Sequence, residues 1–245
     1  LERRRRACRE CGYCDNIACA SKLSSRLGDS EDSNLREMAE AVLAKVRARL
    51  SGGTEHLVPV AVSARHVHLT EEALHTLYGR DSELSKLRDL SQHGQFAAGE
   101  TVTLVGTRMR TIEGVRILGP LRNYTQVELA RTDGMTLGLD LPVRDSGKLS
   151  GSSPIVLVGP RGALSLEEGA IRALRHIHSN ETSASALGLK DGQSVSVRVP
   201  GEKAVVFENV VVRVDPSYEL ELHVDTDDAN AADICCDMLV EITVQ

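Results

Sequence analysis

One short pattern occurs twice in this chain: RHVH occupies positions 65–68 and RHIH positions 175–178. The segments downstream of the two copies are related as well. AAGETVTLVG resembles LKDGQSVSVRV, GVRILGP resembles NVVVRVDP, and VELARTD resembles ELHVDTD. Self-similarity on this scale implies two copies of one supersecondary plan, so both halves must fold alike. VPVAVS, TVTLVG, VRILG, IVLVG, SVSVRV, VVFENVVVRV and LELHV all read as short strands. Many brief strands with few helices predict small barrels or sandwiches rather than a doubly wound sheet. The expected fold is mainly β with short helices (α+β). An extension over 1–54 precedes a first β-barrel repeat over 55–165 and a second over 166–245. LTEEALHTLYG and SLEEGAIRAL read as short helices, the latter opened by Ser165 and Glu168 at capping-box spacing. DSGKLSGSSP, positions 145–154, reads as a loop.

Composition narrows the function classes. The chain has no Trp and 2% aromatic residues, so Leu, Val, Ile and Ala must build the interior, and stacking platforms for bases are scarce. A formal charge of −6 also argues against a nucleic-acid partner, despite the run Arg3 to Arg6. No apolar run reaches the length of a membrane span, and no signal-peptide core is present, so a soluble, cytoplasmic chain is expected. Its six cysteines are crowded in a way that suits a reducing compartment.

The repeated histidines carry the chemistry. Side chains at i and i+2 of a strand share a face, so His66 and His68 can converge on one ion, as can His176 and His178. A single His-x-His is a weak signal, but its repetition at equivalent positions favours metal binding. With one gap in the last matching segment, Glu128 falls opposite His223, which supplies each half with a third candidate. Three protein ligands leave a zinc ion a position for substrate or water, the pattern of a catalytic site. HVHLTEEALHTLYG also fits the cupin spacing, but no second cupin segment comes after it. His56, His75 and His93 lie outside the scheme, and Arg65 and Arg175 either bind anions or serve the structure.

The extension has features of its own. NLREMAEAVLAKVRARL, positions 34–50, forms an amphipathic helical pattern suited to packing on its own body or docking in another protein's groove. Cys8, Cys11, Cys14 and Cys19 are spaced closely enough for a second type of metal site, holding zinc or an iron–sulfur cluster. The alternative for those four is a plain oxidation-prone tail.

VPVAVSARHVHLT, GPLRNYTQVELARTD, GSSPIVLVGPRG and RHIHSN followed by ELELHVDTDDANAA resemble the PduL-type phosphate propanoyltransferases, the phosphotransacylases of bacterial microcompartments. The resemblance spans about 55–245. It implies two β-barrel domains with a dinuclear zinc site and exchange of an acyl group between coenzyme A and inorganic phosphate. Carried onto this chain, it implies that His66, His68 and Glu128 hold one zinc ion and that His176, His178 and His223 hold the other. Arg122 would bind phosphate, and the strand around Val58 to Ser63 would join the second barrel. The resemblance further implies a microcompartment lumen, with the helix at 34–50 meeting shell or core proteins. The sequence leaves a homo-oligomer open.

The chemistry can be argued independently of that resemblance. Phosphate attack on a thioester needs a held anion, charge relief on the oxyanion and a stabilised leaving thiolate. Zinc binds thiolate, so one ion can carry the coenzyme A sulfur while the other, with Arg122, orients phosphate. No protein nucleophile is then required. Two other readings compete: a dinuclear zinc hydrolase, and a scaffold protein stabilised by structural zinc.

Overall fold

A computed structural model of the protein describes residues 56–236 and 238–243. The four-cysteine segment and the expected helix at 34–50 lie outside the described residues. In chain order the elements are β1 (His56–Ser63), β2 (His66–His68), α1 (Glu71–Tyr78), β3 (Lys86–Asp89), β4 (Phe96–Val105) and β5 (Thr111–Gly119). Next come β6 (Gln126–Glu128), α2 (Arg131–Leu137), β7 (Val143–Arg144), β8 (Ser153–Val158) and β9 (Ala163–Ala173). The chain ends with β10 (His176–Ser179), α3 (Glu181–Ala186), β11 (Ser194–Val199), β12 (Val205–Val214), β13 (Glu221–Asp225), α4 (Thr226–Ala232) and β14 (Leu239–Thr243).

Two closed barrels result. The first runs β4-β5-β2-β6-β9-β8 and closes where β8 pairs with β4, with β3 and β7 added at β4 and β9. The second runs β1-β13-β10-β12-β11-β14 and closes where β14 pairs with β1. Equivalent strands occupy equivalent places, but each half lends its leading strand to the other barrel. Thus β1 pairs in parallel with β13, and β9 pairs in parallel with β6. Position 165/166 falls inside β9, so sequence halves and barrels do not coincide.

Each barrel has its own aliphatic core. Val58, Val60 and Val62 of β1 pack with Ile177, Val197, Val212 and Leu222 in the second. Leu69, Leu74 and Leu77 from α1 and the turn before it pack with Leu104, Ile117 and Leu157 in the first. Burying each such side chain stabilises the fold by roughly 1.5–3 kcal/mol. Among the described residues no helix is long and apolar enough to cross a membrane.

The helix expected in SLEEGAIRAL is instead β9. Its backbone is claimed on both edges, by β8 antiparallel and β6 parallel. Glu168, expected to cap a helix, accepts a hydrogen bond from Gly151 N at 2.8 Å. A glycine in a helix interior costs about 1 kcal/mol relative to alanine, and Gly169 stands there. The other helical expectation agrees with α1, whose Thr70 Oγ1 accepts from Ala73 N at 3.1 Å.

Close approach of backbones sets one sharp constraint. A Cβ on Gly106, where β4 ends, would run into the carbonyl oxygen of Leu137 at the end of α2. Gly106→Ala is therefore expected to destabilise the protein by about 2 kcal/mol and to lower the melting temperature by on the order of 5 °C. Thermal unfolding followed by circular dichroism measures this.

Candidate active site

Four short strands, β2, β6, β10 and β13, carry the chemistry-bearing residues, and each turns directly into a helix. The turn is built the same way four times. Thr70, Ala130, Asn180 and Asp225 stand at the N-caps, two residues after His68, Glu128, His178 and His223. Three of them accept a backbone N–H through their own side chains. Ala130 cannot, and Asp227 of α4 compensates: its carboxylate accepts from Thr132 N at 2.9 Å and Thr132 Oγ1 at 2.6 Å. The arginines before the histidine pairs serve the same corners. Arg65 pairs with Asp133 at 3.0 Å, and Arg175 grips Asp228 at 2.8 and 3.1 Å. These arginines are structural ties between strands and helices.

Pairing across the strands places His66 opposite Glu128 and His176 opposite His223. Two groups form: His66, His68 and Glu128; and His176, His178 and His223. Within each, the potential ligand atoms lie within 4.8 Å of one another. Ring centroids in the second group are 4.6 to 5.0 Å apart. All six residues and Arg122 line one cleft of about 480 Å³ between the barrels. His93 does not line it, although its neighbours Ser91 and Gln92 do.

The rings are held ready to give lone pairs. His66 Nδ1 lies 2.8 Å from Ala64 O and His176 Nδ1 lies 2.7 Å from Leu174 O. Donation to those carbonyls leaves Nε2 of both rings as an acceptor. Burial, with His66 and Arg122 nearby, holds His68 well below the ordinary imidazole pKa. Burial, then His223, Arg213 and His178, do the same to His176. Burial, then His223, Arg213 and Arg122, push His178 down to about 2. All three rings are neutral near pH 7. His68 Nδ1 and His178 Nδ1, at equivalent places in the repeat, are buried without a hydrogen-bond partner. Orphaned buried nitrogens beside converging neutral donors fit a metal ion, which relieves the cost of leaving them unsatisfied.

Carboxylates and cations complete the cleft. Glu128 Oε1 accepts from Gln126 Nε2 at 2.6 Å and Ser146 Oγ at 3.1 Å, with Oε2 3.6 Å from His66 Nε2. Burial opposes ionisation of Glu221, but contacts from His223, Ser91 and Gln92 outweigh it and hold its carboxyl below the usual range. Arg122 is fixed at both ends: its N–H donates to Leu69 O at 2.8 Å and its Nη1 to Tyr124 Oη at 2.7 Å. Arg213 reaches the cleft from β12 and donates to Asp145 at 2.9 Å. Two guanidinium groups, Arg213 paired with Asp145 and Arg122 braced by Tyr124, thus face a cleft that also holds the carboxylates of Glu128 and Glu221.

The sequence profile described as phosphate propanoyltransferase matches residues 59–235, from within β1 to just past α4. The chain belongs to that family. A phosphate propanoyltransferase of Lachnoclostridium phytofermentans is 51% identical over 212 residues, 86% of this chain and 99% of the relative. One of Thermotoga maritima is 51% identical over 174 residues, 71% of this chain and 82% of the relative. One of Citrobacter freundii is 42% identical over 198 residues, 80% of this chain and 92% of the relative. Membership makes the chain an acyltransferase with phosphotransacylase activity, and the cleft lies almost wholly within the matched segment.

Sequence reasoning missed Arg213, Glu221, Gln126 and the two serines that hold carboxylates, Ser91 and Ser146. The repeat as read from the sequence pointed away from Arg213. Aligning GVRILGP and NVVVRVDP on their prolines puts Ile117 opposite Arg213. The strand register, with His66 against Arg116 and His176 against Val211, puts Leu118 there instead. Leu118 and Arg213 both line the cleft. A one-residue slip changes the face of a strand.

Proposed function

We propose that the protein is a zinc-dependent phosphotransacylase that interconverts acyl-CoA plus phosphate with acyl phosphate plus coenzyme A, propionyl being the preferred acyl group. The observation that carries this reading is the convergence of two three-residue ligand groups and a braced arginine on one cleft. His66, His68 and Glu128 would hold one zinc ion, and His176, His178 and His223 the other. Imidazole nitrogen and carboxylate oxygen are zinc ligands, and three per ion leave a position open. Bound zinc supplies Lewis acidity toward phosphate oxygen and toward the departing thiolate.

The residues of the chain do the remainder. Arg122, its guanidinium fixed by Tyr124, orients phosphate so that one oxygen faces the thioester carbonyl carbon. A C–O bond forms to phosphate as the C–S bond breaks, and the electron pair leaves on sulfur as the coenzyme A thiolate. Transfer is direct, with no acyl-enzyme intermediate. The names of the relatives support propionyl as the acyl group. We assign the protein to a microcompartment lumen, with residues 34–50, amphipathic in their sequence pattern, as the segment that meets shell or core proteins.

Thiol release from propionyl-CoA by zinc-loaded protein, measured with and without inorganic phosphate, tests the reading. Release is expected only with phosphate. Release without it would indicate a zinc hydrolase, and none at all despite bound zinc would indicate a scaffold.

A further inference from the structure

The two ligand groups differ at first sight, one having a carboxylate and the other only imidazoles. Register removes the difference. On the first barrel His66 faces Glu128 and His68 faces Gln126; on the second His176 faces His223 and His178 faces Glu221. The carboxylate has moved by two residues along equivalent strands, so it stays on the same face. Each carboxylate is gripped by one serine and one glutamine. Glu128 accepts from Ser146 and Gln126, and Glu221 Oε2 accepts from Ser91 Oγ at 2.6 Å and Gln92 Nε2 at 3.1 Å.

Ser91 and Gln92 lie in the loop between β3 and β4, in the first half, and reach across to the second barrel. Gln92 is 3% exposed, and it also bonds the backbone of Glu219 through its Nε2 at 3.3 Å and its Oε1 at 3.2 Å. Glu221 is 7% exposed, and its Oε2 lies 3.1 Å from His223 Nε2, within ion-pair reach but not aligned as a hydrogen bond. Burying a carboxylate costs several kcal/mol unless it is well partnered. Neither Ser91 nor Gln92 carries a charge, which leaves His223 and its cluster as what the carboxylate serves. A carboxylate behind a metal-ligating imidazole orients the ring and raises its basicity.

We propose that Glu221 is a positioning residue of the second cluster: it orients His223 and supplies the negative charge that Glu128 supplies to the first, with Ser91 and Gln92 as its clamp. The proposal rests on the reading of both clusters as zinc sites. The test is a zinc titration of metal-stripped full chain against a chromophoric chelator. Serine replaces all six cysteines, Cys8, Cys11, Cys14, Cys19, Cys235 and Cys236, so that no thiolate adds to the count of the two clusters. The parent is expected to bind two ions. Glu221→Gln weakens one of them by about 10–100-fold and leaves the other, and the double variant with Glu128→Gln weakens both. Ser91→Ala weakens the same ion as Glu221→Gln, by a smaller factor.

Two ions held at parental affinity by Glu221→Gln overturn the proposal, including when the melting temperature falls, since that marks a packing role alone. Should Glu221→Gln not fold, Ser91→Ala decides by the same criterion. A parent that binds fewer than two ions overturns the zinc reading beneath it, a distinct result.

Discussion

Replacing His178 with alanine is expected to lower phosphate-dependent thiol release from propionyl-CoA by ~10²–10³-fold, and to remove one bound zinc ion. The ring sits at the centre of the site. Its centroid is 4.6 Å from those of both His176 and His223, and it stacks on Tyr218 at 4.0 Å. Arg122 and Arg213 both act on it electrostatically, so it marks where a ligand-bearing ring meets the cationic wall. Arg122→Ala separates the two functions. It should cost a comparable factor, mostly as a raised KM for phosphate, with both ions retained. Metal content and steady-state kinetics measured on the same preparations check this. A His178→Ala protein that keeps two ions and activity within about threefold of the parent would sink the assignment of this cluster.

Stripped of metal, the protein is expected to lose stability as the pH falls below about 6.5, the pKa of an unperturbed imidazole. The sign comes from burial. His68, His176 and His178 have folded pKa values held well below that value. On acidification the unfolded chain therefore takes up protons that the folded chain refuses. The stability is fully present above about pH 6.5 and declines below it. For His178 the decline continues to about pH 2. A ring that stays neutral costs roughly 1 kcal/mol for each pH unit below about 6.5, so the three together remove a few kcal/mol of a typical 5–15 kcal/mol. Glu221 contributes in the same direction only at lower pH, in the carboxylate range, because its pKa is also depressed. Thermal unfolding of the metal-free protein at about pH 7.5 and 5.5 should show a fall on the order of 10 °C, and His178→Ala should flatten it. An unchanged melting temperature would mean that the rings are open to water.

Much of the site was legible because its signal is local. His-x-His on a strand puts two rings on one face whatever the strand pairs with. The repeat then tied Glu128 to His223, and the structure places them directly across from His66 and His176. The strand segments were legible from alternation, and the aliphatic composition is what fills both cores. SLEEGAIRAL shows where this stops. Its local pattern allows a helix, and only the β6 and β8 backbones, which claim its donors and acceptors on both edges, make it a strand.

By itself, then, the sequence determined a mainly β, twofold-repeated fold and the six candidate ligands, because period, repeat and residue chemistry are properties of neighbours in the chain; Arg122 was named by the family resemblance. The resemblance had already assigned β1 to the second barrel; the tertiary structure alone decided that β9 is a strand and joins the first barrel in return. It also decided that Arg213 faces the cleft, and that Ser91, Gln92 and Ser146 grip the carboxylates. Each of these depends on a hydrogen bond or register between segments far apart in sequence. Such contacts are chosen by the closure of the barrels, which no local pattern encodes.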